Sequence, residues 1–152
     1  MTGSILDTVD AMLDRKLIDQ GLPLIASTSE YDKYVNMSYS ELRAISGTSA
    51  DDASYILEQC ALHLQKTCNR LNAKLIQVEN NLHKALSYVY DDYKTYGGFE
   101  IVLQKACADN TEINELNDMK IDLKMQITDL SFLSNHITKM ANTVSNMKWR
   151  NR

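Results

Sequence analysis

Ten residues between positions 57 and 89 recur alternately four and three apart without a break. They are Leu57, Ala61, Leu64, Cys68, Leu71, Leu75, Val78, Leu82, Ala85 and Val89. Only an α-helix brings such positions onto one side, and a seam sustained over more than four heptads specifies packing along the helix's whole length. A second, less pure seam runs through Val102, Ala106, Asp109, Ile113, Leu116, Lys120, Leu123, Ile127, Leu130, Ser134, Ile137, Ala141 and Val144. Between the two stands Tyr96-Gly97-Gly98-Phe99, and paired glycines supply the backbone freedom a reversal needs. The predicted fold is therefore all-α: a long antiparallel helical hairpin, coiled-coil-like, over residues 49–152 and turning at 96–99. Each arm has about 47 residues and so runs roughly 70 Å.

Residues 1–48 read as an acidic amino-terminal region of short helices and a linker. Ile5, Val9, Met12, Leu13 and Leu17 predict an amphipathic helix at about 4–20, and residues 21–37 read as a loop. Ser38 with Glu41 is a capping box for a short helix through Leu42 and Ile45, and Ser49 with Asp52 is a second signature for the start of the long arm. One proline and five glycines in 152 residues fit long helices better than sheets. Ile56, Leu62, Ile76, Leu86, Ile101, Leu103, Ile121, Met125, Phe132 and Met140 lie off the strict seams. Either the short helices cover them or further copies of the chain do. The length of the hairpin favours a homo-oligomer.

No apolar run approaches the roughly 18–20 residues of a membrane span, and the acidic amino terminus does not read as a signal peptide. Three cysteines without framework spacing suggest free thiols in a reducing, cytoplasmic setting. Cys60, His63 and His136 fall at one level of the predicted hairpin. Both histidines take outward heptad positions and no fourth ligand stands at standard spacing, so no metal is expected. Neither a phosphate-binding glycine loop nor a nucleophile–base arrangement is recognisable. The chain reads as a non-enzyme without a cofactor.

Charge is distributed unevenly within a net −4. Residues 1–52 hold four basic against nine acidic side chains, and residues 53–152 hold twelve against eleven. Two windows lack acids altogether: 59–78, with Lys66, Arg70 and Lys74, and 131–152, with Lys139, Lys148, Arg150 and Arg152. With Lys84, the first window forms a stripe in which Lys66, Arg70 and Lys84 point away from the seam and Lys74 flanks it, with Asn69, Asn80 and Asn81 among them. Such a stripe can follow a phosphate backbone without reading sequence, or can be a solvated face. The chain's one tryptophan, Trp149, sits within the second window and can stack on an unpaired base. Alternatively the tail's cations favour the helix dipole and pair with Asp51 and Asp52.

Three stretches resemble phage recombination mediators of the UvsY type: LHKALSY (82–88), YDDYKTYGG (90–98) and VLQKACADNTEINELNDMKIDLKMQI (102–127). The likeness covers residues 55–130, about half the chain. It implies a ring-like homo-oligomer that binds single-stranded DNA and loads a recombinase onto strands covered by a single-strand-binding protein. It also implies a place in the host cytoplasm, and Lys84 as a DNA contact by a one-position shift. The resulting expectation is a recombination mediator whose DNA contacts are Lys66, Arg70, Lys74, Lys84 and Lys139 with Lys148, Trp149, Arg150 and Arg152. The alternatives are a virion, scaffold or assembly component of coiled-coil type, and a helical adaptor or inhibitor of a protein target.

Overall fold

The structure, a computed structural model, describes residues 33–150, with side chains through Asn146. The predicted helix at 4–20 and the side chains of Lys148, Trp149, Arg150 and Arg152 lie outside the described residues. The described chain is all-helical: α1 Tyr39–Ala44, α2 Thr48–Tyr93, a 3₁₀ turn Lys94–Tyr96, α3 Phe99–Asp109 and α4 Thr111–Arg150. Residues 48–96 pack antiparallel against 111–146, as the paired seams require. The described chain clusters into two compact units. A central unit comprises Arg70–Ile127, and a terminal unit comprises 33–69 with 128–150.

In the terminal unit the core gathers Leu57, Cys60, Ile137, Met140 and Val144 with Ala50, Ala53, Ala61 and Ala141. The alanines supply little bulk, so the two backbones approach closely enough for hydroxyl bridges. Ser134 Oγ donates to the Ala61 carbonyl at 3.0 Å, and Ser54 Oγ donates to the Ala141 carbonyl at 3.4 Å. Ser54 also shares a 2.6 Å hydrogen bond with the Ser145 hydroxyl. Both cross-helix pairs have the register of a chain folded about Gly97-Gly98. The serine that interrupts the second seam is thus a core residue with its polar group satisfied. Leu42 of α1 inserts into the same core, with Tyr34, Val35, Met37 and Ile45 packed around it.

Helix α1 opens on the predicted capping box, in which Ser38 Oγ accepts from the Glu41 N–H and the Glu41 carboxylate accepts from the Ser38 N–H. A contact from the Ser38 side chain to the carboxylate, the larger cause, and the Ser38 N–H together hold the Glu41 carboxyl below the usual range. The Ser49–Asp52 signature does not cap α2. The helix begins at Thr48, directly after Gly47 at φ 65°, and Ser49 is already inside the first turn. Residues 33–35, expected to be loop, are helical.

In the central unit the second arm is broken once, where the sequence suggests a continuous helix. Gly97, at φ 130°, turns the chain after the 3₁₀ turn, and α3 then lies back along the end of α2. The Phe99 ring sits 6.2 Å from the His83 imidazole, and at the other end of α3 the Tyr93 hydroxyl donates to the Asp109 carboxylate at 2.9 Å. After Asn110 the chain continues as α4, which packs antiparallel against residues 48–96. Asn110 is extended, and its side-chain oxygen accepts from the Ile113 N–H at 3.2 Å, the N-cap contact that starts α4. Asp109, a seam position by spacing, lies at the break, exposed and hydrogen-bonded. Leu86 and Leu103, both off the strict seams, are buried in one cluster with Leu82, Ala106 and Ile113.

Candidate nucleic-acid interface

The acid-free window 59–78 lies wholly inside α2. At 100° per residue, Lys66, Arg70, Lys74, Asn81 and Lys84 fall within one sector of that helix. Lys66, Arg70 and Lys74 are half-buried, as expected of long basic side chains whose stems lie along neighbouring surface, and Lys84 is exposed. Arg70 and Lys74 also interact with other groups of the protein. Two amide pairs run along the helix, Gln65 Nε2 to Asn69 Oδ1 at 3.2 Å and Gln77 Nε2 to Asn81 Oδ1 at 3.4 Å. The surface therefore offers several donors that a phosphodiester chain can accept from.

The remaining predicted contacts are placed less uniformly. Lys84 stands on the rim of a groove of about 560 Å³ between α2 and α4, and Glu112 and Glu115 line it as well. Its surroundings are mixed in sign. Lys139 is exposed on α4 between Ser134 and Ala141. Those two residues face Ala61 and Ser54, so Lys139 is level with α2 positions before Lys66 and does not extend the row Lys66–Lys74. The backbone of α4 continues through Arg150, and the side chains of the Lys148–Arg152 tail are outside the described residues.

Among the described residues no group of three His, Cys, Asp or Glu side chains is arranged to hold a metal ion. Cys60 is buried, His63 half-buried and His136 exposed. No described helix is long and apolar enough to cross a membrane. The groove itself, floored by Ala85, Val89, Leu116 and Met119, was not anticipated from the sequence. Its two walls come from different helices, and their alignment depends on the break at Asn110. No family model matches the chain, and no curated protein or solved structure is similar to it.

Several large apolar side chains remain in solvent. In the central unit Ile76 is 59% and Met125 61% exposed, and in the terminal unit Phe132 is 76% exposed. Of the ten off-seam residues, Leu86, Leu103 and Met140 are buried and Ile56 is half-buried. The others are open.

Proposed function

We propose that this chain is a non-enzymatic, self-associating helical protein that binds single-stranded DNA and helps assemble recombination machinery on it. The observation that carries the reading is the row Lys66, Arg70 and Lys74, one helical turn apart on an acid-free stretch of α2. A row of cations at that spacing can track a flexible phosphate backbone and is indifferent to base sequence. The resemblance of residues 55–130 to UvsY-type mediators supports the same reading, and so do the exposed apolar side chains, which suit self-association. A recombinase and a single-strand-binding protein are the partners this function would bring, with the host cytoplasm as its setting.

The test is fluorescence anisotropy of a labelled single strand, titrated with the full chain over a range of salt. Binding should weaken as salt rises, and Lys66→Ala, Arg70→Ala and Lys74→Ala should each flatten the salt dependence by about one counterion. Absence of binding at low salt refutes the proposal. A second reading, a structural component of a larger helical assembly, is favoured by Phe132, Met125 and Ile76 and makes no demand on the basic row. Strong self-association without strand binding selects it.

A further inference from the structure

The groove between α2 and α4 has a shape and charge that neither reading uses. Its floor is apolar (Ala85, Val89, Leu116 and Met119), and Tyr88, 77% exposed, stands over one side. Glu112 and Glu115 line it from α4, opposed by Lys84 on α2, so its charge is net acidic. At about 560 Å³ it is larger than an indole and within the range of pockets that hold compact ligands. An occupant that fits is a single large aromatic side chain flanked by cations.

The sequence contains one such segment. Residues 147–152, MKWRNR, carry the chain's one tryptophan between Lys148 and Arg150, and no acid occurs anywhere in 131–152. Trp149 stands thirty-three residues beyond Leu116 in the chain. We infer that the groove of one copy receives the Trp149 tail of a second copy, with Lys148 and Arg150 facing Glu112 and Glu115. Trp149 supplies the buried aromatic anchor, the role in which tryptophan concentrates binding energy. The two charge pairs at the rim set register and partner choice. Because groove and tail are different surfaces, the contact is head-to-tail, and repetition generates a ring or a filament. The inference deepens the self-association in the proposed function and rests on it. It also gives the tail a protein site that competes with its use on DNA.

The test uses the full chain and the fact that Trp149 is its one indole. Emission from Trp149 and the sedimentation-derived mass are followed together as the protein is diluted. Emission should shift to the red as the assembly dissociates. The pair Glu112→Lys with Glu115→Lys should weaken association about tenfold or more, and Lys148→Glu with Arg150→Glu should do the same. A chain carrying both sets should recover the wild-type mass, which a general loss of folding cannot mimic. Lys84→Glu, by making the groove more acidic, should tighten association. Trp149 emission that does not change with dilution, or association indifferent to both reversals, overturns the inference. Strand binding by the same variants is read separately by anisotropy. A wild-type chain that binds no strand removes the DNA reading while leaving the tail–groove result intact.

Discussion

Ser134 concentrates what single residues do here. It breaks an apolar seam on paper, yet it is buried, and its hydroxyl donates to the Ala61 carbonyl at 3.0 Å. Replacing it by alanine should cost about 0.5–1.5 kcal/mol, the net worth of such a bond. Replacing it by leucine restores the seam's pattern but forces bulk between closely approached backbones. Overpacking of that kind costs about 1–3 kcal/mol, so the hydrophobic variant should be no better than the alanine one, as read by urea denaturation. The thiols make a second residue-scale prediction. Cys68 is almost fully buried, and burial pushes its thiol up. Cys107, half-buried, is raised first by burial and then by the Asp118 charge, with Lys120 acting in the opposite direction. In native protein a thiol reagent should label Cys107 before Cys68, with both rates rising with pH as thiolate forms. Since the folded values are raised, the thiols contribute stability that is complete below the unfolded value of 9.0 and is lost as pH climbs through the folded ones. Mass spectrometry of timed samples shows the order, and faster labelling of Cys68 contradicts this packing.

At the scale of elements, α3 is the unexpected part. Its position depends on Gly97 and Asn110, and both can be tested separately. Asn110→Ala removes the oxygen that caps Ile113 and should cost about 0.5–2 kcal/mol. Gly97→Ala meets two obstacles, a φ of 130° and a Cβ placed 3.2 Å from Ile101 Cδ1, and should cost more than about 1 kcal/mol. A Gly97 variant as stable as the parent would mean that α3 does not fold back as described. The clip between Tyr93 and Asp109 adds a pH dependence. The hydrogen bond to Asp109 is the main reason the Tyr93 phenol is raised above 10.0. A raised folded value means that the contribution is complete below pH 10.0 and declines as pH rises through the folded value. The urea midpoint should therefore fall more steeply above that pH in the parent than in Tyr93→Phe. Equal slopes would show that the bond is not maintained in solution.

For the molecule as a whole, the exposed apolar residues count for more than the net charge of −4. The hairpin seams consume Leu57, Val78, Leu123, Ile137 and their neighbours, α1 and α3 take Leu42 and Leu103, and Phe132 and Met125 are left in water. Phe132→Ser and Met125→Ser should each weaken self-association by about tenfold or more, judged from roughly 1.5–3 kcal/mol per large apolar side chain buried. The urea midpoint of the dissociated chain should hardly move. Light scattering that gives one unchanged mass for parent and variants would remove these residues from any interface.

Much of this was legible in the residues themselves. Seam positions 57–89, the capping box at Ser38 and the glycine reversal are local or periodic signals, and local signals survive because helix geometry is the same in every context. The basic row on α2 was legible for the same reason, since residues four apart on a helix must be neighbours. The groove and the break at Asn110 were not. Asp109 continues the seam's spacing perfectly, and nothing in a period says whether a carboxylate at such a position is buried or expelled. That choice is a difference in solvation free energy between two packings, and it is settled by the partners available in three dimensions: Tyr93 for Asp109, and Leu82 and Leu86 for Leu103. Period and capping chemistry set the helices, the seams and the polarity of each face. Packing in three dimensions set where the second arm breaks, which apolar residues were left over, and that Glu112 and Glu115 share a groove with Lys84.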